Sequence, residues 1–134
     1  MTRFTVGLGC DRGVALDTMR CAVQAALAQA GVRPEQVTAA ASITLKMDEA
    51  ALLALAHEYA WPLHFYCADE LAAVQVPNPS ETVRRHIGTP SVSEAAALLA
   101  AGKGTPMSAL IVEKHKFKGA DGRHATVSIA RIET

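Results

Sequence analysis

The sequence predicts a three-layer α/β/α domain around a mostly parallel, mixed five-stranded sheet, and three observations carry that reading. Strand-like and helix-like apolar patterns alternate through the first half of the chain, as in parallel α/β units. The segment Ala39–Leu45 (AAASITL) is almost continuously apolar, which suits a strand covered on both faces. Two further strand-like segments come late, separated by a turn-forming Ala120-Asp121-Gly122, and should pair as a hairpin that makes the sheet mixed. With 134 residues and no repeat, linker or low-complexity stretch, one domain spanning 1–134 is expected.

Each element follows from local pattern. Arg3–Gly9 (RFTVGLG) carries Phe4, Val6 and Leu8 at period two and reads as the first strand. Leu16–Ala30 places Leu16, Met19, Val23, Ala26 and Leu27 near helical spacing, and Gly31 stands at the C-terminal cap position with Pro34 beyond. After the second strand, Asp48 reads as the N-cap of a helix over Glu49–Tyr59, which Trp61-Pro62 stops. Leu63–Tyr66 (LHFY) is a short third strand with His64 facing solvent, and Asp69 caps a turn of helix over Glu70–Ala73. Asn78-Pro79-Ser80-Glu81 reads as an N-terminal signal, with Asn78 as cap and Pro79 at the first position of a helix reaching His86 and Gly88. Ser91-Val92-Ser93-Glu94 is a second capping box, opening an Ala/Leu helix that ends at Gly102. Ser108–Glu113 and Ala125–Ile132 are the late strands.

Composition excludes several classes. Lys plus Arg and Asp plus Glu number 13 each, whereas a general phosphate-backbone binder carries a clear basic excess, so no nucleic-acid partner is expected. Cys10, Cys21 and Cys67 form neither an even set nor a CxxC pair, which argues against a disulfide framework or zinc ribbon and for a reducing cytoplasm. The N-terminal apolar stretch is too short for a signal peptide, and no stretch approaches the roughly 20 residues of a membrane span. The five histidines show no HxxxH or HxH spacing, so no metal site is predicted.

Four groups of residues are candidates for chemistry. Gly7-Leu8-Gly9-Cys10-Asp11-Arg12-Gly13 joins a strand to a helix, where glycines let backbone approach a ligand and the helix start favours anions. It is not the dinucleotide fingerprint, because the last glycine falls one residue late and the second strand ends in Lys46 rather than an acid, so no cofactor is predicted. The plain alternative is a tight turn without a ligand. Lys46-Met47-Asp48-Glu49 leaves the second strand on the same edge if the two strands are parallel, and open α/β sheets bind ligands there. Its plain alternative is an N-cap at Asp48 and a solvated Lys46. Cys10 is either a thiol activated at a helix start or, on the alternative reading, a buried inert one; Cys21 and Cys67 read as packing residues. Lys114-His115-Lys116-Phe117-Lys118, with Arg123, is either an anion-binding patch or a solvated hairpin whose lysines protect a sheet edge.

Five blocks in order resemble one family: VGLGCDRG at 6–13, SITLKMDE at 42–49, ADELAAVQVPNPSETV at 68–83, GTPSVSEAAALL at 88–99 and ATVSIARI at 125–132. They are similar to the C-terminal domain of cobalt-precorrin-5A hydrolase (CbiG) and its stand-alone relative CobE. The resemblance implies a role in making the corrin ring of vitamin B12. It implies binding or processing of a precorrin or corrinoid through Gly9, Cys10, Arg12, Gly13, Lys46 and Asp48, and the carboxylate fringe of such a ligand calls for cations such as Lys114 beside them. In the two-domain hydrolase the reaction opens a precorrin lactone and releases acetaldehyde; Asp48 and Glu49 are the residues here that would activate water for it. A third possibility is docking onto another corrin-pathway enzyme through the helix at 92–101.

Overall fold

The first strand, β1 (Phe4–Cys10), sits in the middle of the sheet, and its two faces meet two different layers. The computed structural model describes residues 1–133. Along the chain follow α1 (Leu16–Ala30), β2 (Val37–Ile43), α2 (Ala50–Tyr59), β3 (Leu63–Tyr66), α3 (Ala68–Ala72), α4 (Glu81–Ile87), α5 (Val92–Ala101), β4 (Leu110–Lys118) and β5 (His124–Arg131). The sheet order is β3-β2-β1-β5-β4. β1, β2 and β3 are parallel neighbours, whereas β5 is antiparallel to both β1 and β4. The sheet is therefore five-stranded and mixed, with the late hairpin packed beside β1.

Period-two alternation along β1 explains the layering. Phe4, Val6 and Leu8 point to one face and are buried with Met19, Val23 and Leu27 of α1, Leu52 and Leu55 of α2, and Val127 and Ile129 of β5. Burying each such aliphatic side chain contributes roughly 1.5–3 kcal/mol. Thr5, Gly7 and Gly9 point to the other face, where α5 lies. A Cβ on Gly7 would fall 1.9 Å from the carbonyl oxygen of Ser93, so only glycine lets α5 sit this low. Thr5 Oγ1 donates to the Ala97 carbonyl at 2.7 Å, tying strand to helix. The alanines of α5 serve the same approach: Ala95, Ala96 and Ala97 are fully buried, so the apolar side of this helix rests on the sheet rather than facing a partner.

Several local expectations shift. β1 and β2 end at Cys10 and Ile43, and Thr44–Lys46 coils into a 3-10 turn. β4 starts after a 3-10 turn at Met107–Ala109 and continues to Lys118 instead of stopping at Glu113. Its basic end is strand because Phe117 packs into the core and Lys116 and Lys118 pair with Thr126 and His124. Cap assignments change more. α2 begins at Ala50 after Glu49, and Asp48 reaches Arg12 instead of capping. α3 begins at Ala68, with Glu70 accepting from the Cys67 N–H at 2.9 Å, and Asp69 lies within it. α4 is capped by Ser80, whose Oγ accepts from the Val83 N–H at 3.2 Å; Asn78 and Pro79 lie outside. Cys67 is exposed and is not a packing residue.

Candidate functional site

Because β1 and β2 run parallel, the loops at their carboxyl ends leave on one edge and meet. The guanidinium of Arg12 bridges them. Its Nη1 donates to Asp48 Oδ1 at 2.8 Å and Glu49 Oε2 at 3.0 Å, and its Nη2 donates to the Leu45 carbonyl. The Gly13 N–H donates to the other oxygen of Glu49 at 3.0 Å. Glu49 is 5% exposed and Asp48 83%. The hydrogen bond from Arg12 holds the Asp48 carboxyl below the usual carboxylate range.

The hairpin tip braces the first of these loops. Asp121 accepts from the Ala15 N–H at 2.9 Å, and Arg123 Nε donates to the Arg12 carbonyl at 3.0 Å. Asp11 accepts from both the backbone N–H of His124 (2.7 Å) and its ring Nδ1 (3.1 Å), and the backbone bond lowers the Asp11 carboxyl. Gly119 lies so close to Thr18 that a Cβ there would meet Oγ1 at 2.0 Å.

Beyond these loops lies a cleft of about 510 Å³. Gly9 and Thr126 of the sheet, the start of α5, and Val83 and Ile87 of α4 line it. Lys46, Lys114, Lys116, Arg12 and His124 supply cationic or titratable groups to the same lining. Of the residues in the segments singled out in the sequence, Gly9, Cys10, Asp11, Arg12, Lys46, Lys114 and Lys116 line the cleft. Gly13, Asp48 and Glu49 are not lining residues; Glu49 and Gly13 stand behind Arg12 and fix its place. Burial pushes the Cys10 thiol up to about 11, with Lys46 pulling it back, so the thiol is largely protonated at neutral pH and a poor nucleophile. Lys114 Nζ donates to the Asn78 carbonyl at 3.0 Å, and burial lowers its pKa.

Sequence reasoning missed His124, α4 and the start of α5 as parts of this region, and it named Asp11 and Lys116 only within their segments. The alternation in KHKFK carries the signal for Lys116, since His115 and Phe117 pair with Val127 and Ala125, leaving the lysines on the α5 side. The S-x-x-E spacing predicts a capping box at Ser91 and Glu94, yet the box does not form. The Ser91 side chain caps no N–H, and Glu94, fully buried, accepts from the N–H and Nδ2 of Asn78 at 3.3 and 2.6 Å. The hydroxyls of Thr89 and Ser91 are buried without a partner among the described residues, an arrangement costing roughly 1–3 kcal/mol each when nothing is bound. Among the described residues no three His, Cys, Asp or Glu side chains gather as a metal-binding group, and no helix is long and apolar enough to cross a membrane.

Comparison with known proteins adds three findings. Residues 4–130 match the family model described as the cobalamin synthesis G C-terminus. A CobE protein of Sinorhizobium sp is 37% identical over 129 residues, covering 95% of this chain and 79% of its own length, and a cobalt-precorrin-5A hydrolase of Priestia megaterium is 35% identical over 102 residues, covering 76% of this chain but only 27% of the hydrolase. A solved structure of CobE, a protein of the cobalamin (vitamin B12) biosynthetic pathway, superimposes with a TM-score of 0.81 at 31% identity over 99% of this chain and 92% of that one.

Proposed function

The chain belongs to the family of the cobalamin synthesis G C-terminus and is a cobalamin-biosynthesis protein, and from that premise we propose that its cleft binds a precorrin or corrinoid intermediate. The observation that supports this most is the make-up of the cleft. Precorrins are broad macrocycles with apolar faces and a fringe of acetate and propionate carboxylates. Ile43, Leu45, Val83, Ile87 and Val92 offer apolar surface to a ring, and Arg12, Lys46 and Lys114 offer charge to its acid fringe. Gly9 leaves the sheet open beneath, with only Thr126 Cβ within 4 Å of where a side chain would begin.

Visible absorption titration with several pathway intermediates, followed by gel filtration, tests the reading. A saturable spectral change and co-elution of pigment with protein are expected. Lys46→Ala should weaken binding about tenfold, or about 1.4 kcal/mol, and added salt should weaken it further. Clean separation of pigment and protein at about 50 μM, with no spectral change, would overturn it.

A second reading, a hydrolase that opens a precorrin lactone and releases acetaldehyde, is favoured by the 35% identity to the cobalt-precorrin-5A hydrolase. The chain spans 27% of that enzyme, so the reaction is a proposal for this chain. Its water-activating candidates would be Asp48 and Glu49, with Arg12 or Lys46 stabilising the oxyanion. The geometry weighs against it, since both oxygens of Glu49 and one of Asp48 are already engaged. Release of a two-carbon product that disappears in Asp48→Asn would restore it.

A further inference from the structure

The start of α5 opens onto the cleft with its cap unfilled. The first N–H groups of any helix lack an intrahelical acceptor, and a Ser at the cap position usually supplies one. Here Ser91 occupies that position, is 2% exposed, and its Oγ has no partner among the described residues. The Glu that the pattern S-x-x-E offers for reciprocal capping is withdrawn. Glu94 holds Asn78 instead, and neither residue lines the cleft. Ser91, Val92 and Ser93 do line it, together with Lys114 and Lys116. The hydroxyl of Ser93 is paired at 2.9 Å with that of Ser128, whose own proton is directed at the Glu113 carbonyl, so Ser91 is the open hydroxyl at this helix start.

We propose that the N-terminus of α5 is a carboxylate subsite, in which Ser91 Oγ and the N–H groups of Val92 and Ser93 receive one acid group while Lys114 balances its charge. A dipole end, a free donor and a nearby ammonium converge on an anion. The buried Glu94 one turn into the helix, with Glu113 bonded to the same Asn78 side chain, raises the cost of a doubly charged group and favours a monoanion. As the anchor for one acid arm of a macrocycle the subsite rests on the reading above; as a site for a simple carboxylate it does not.

Amide NMR of the full chain, titrated with sodium propionate against sodium chloride at fixed ionic strength, tests it. The Val92 and Ser93 amide signals should move saturably with propionate. Ser91→Ala should lose at least about tenfold in propionate affinity, the weight of one hydrogen bond to a charged group, without a fall in melting temperature, because this hydroxyl caps nothing in the free protein. Ser91→Asp, which supplies its own carboxylate to the same N–H groups, should abolish the response. Unmoved Val92 and Ser93 amides, or a Ser91→Ala protein that binds propionate as well as the parent, would overturn the subsite. Tighter binding of inorganic phosphate than of propionate at these amides would overturn its preference for carboxylate. If propionate binds but no pathway intermediate does, the macrocycle reading fails and the subsite stands; the reverse outcome removes the subsite alone.

Discussion

The two faces of β1 solve opposite problems. On one, Phe4, Val6 and Leu8 interlock with α1 and α2 in a continuous apolar core. On the other, Thr5, Gly7 and Gly9 leave room, α5 presses in, and buried Ser91, Ser93, Glu94 and Ser128 put polar groups into the interior. A dry face gains from every methylene it buries. The face proposed to admit a ligand keeps its backbone low and its donors open. The difference explains why residues one position apart in the strand should respond so differently to substitution.

The largest expected effect comes from the dry face. Leu8→Ala removes a fully buried side chain and should cost about 3–5 kcal/mol by urea unfolding, with ligand affinity of the folded fraction unchanged. Gly7→Ala tests the other face. Its methyl would meet backbone, which cannot swing aside, so about 3 kcal/mol should be lost and α5 should lift, weakening pigment binding as well. If Gly7→Ala left both stability and binding intact, the close approach of α5 would not be what shapes the cleft.

Two smaller effects concern the edge where the faces meet. Glu49→Gln keeps one acceptor for Gly13 or Arg12 but loses the charge, and should cost about 1–2 kcal/mol in chemical denaturation. The carboxyls of Asp11, Asp48 and Asp121 all lie below their ordinary value of 3.8 in the folded chain, held down chiefly by His124, Arg12 and the Ala15 N–H respectively. A depressed folded pKa means that the stabilisation is complete above the unfolded value and is lost as pH falls through the folded one. Melting temperature should therefore drop below about pH 4, and Asp48→Asn should make that acid limb shallower. An unchanged limb in Asp48→Asn would assign it to carboxylates elsewhere.

Sequence pattern reached the fold further than the site, for physical reasons. Leu16–Ala30 and Leu63–Tyr66 were legible in full because their limits are set locally, by Gly31 and by Pro62 and the turn into α3. Caps were less legible. An Asp ahead of an apolar helix, or an Asn or Ser three residues before an acid, looks like a cap, but Asp48 finds Arg12 and Glu94 finds Asn78, and local spacing cannot see such distant competitors. Gly7 looked like a ligand-facing glycine and instead makes room for a helix. Arg12 and Lys46 could be placed together because parallel strands share an exit edge. The start of α5 could not, since nothing before the strand order is known brings residues 91–93 over Gly9.

The hairpin gives the molecule one more property. β5 slots between β1 and β4, and the turn that follows β4 clasps the loop after β1 through Asp121 and Arg123. During synthesis β1 therefore gains β2 early, but its other border has no partner until α1 through β4 have been made and β5 follows. Such distant pairings make for slow closure. Until β5 arrives, the partly made polypeptide exposes one bare border of β1, the moment at which chaperones would have most to protect.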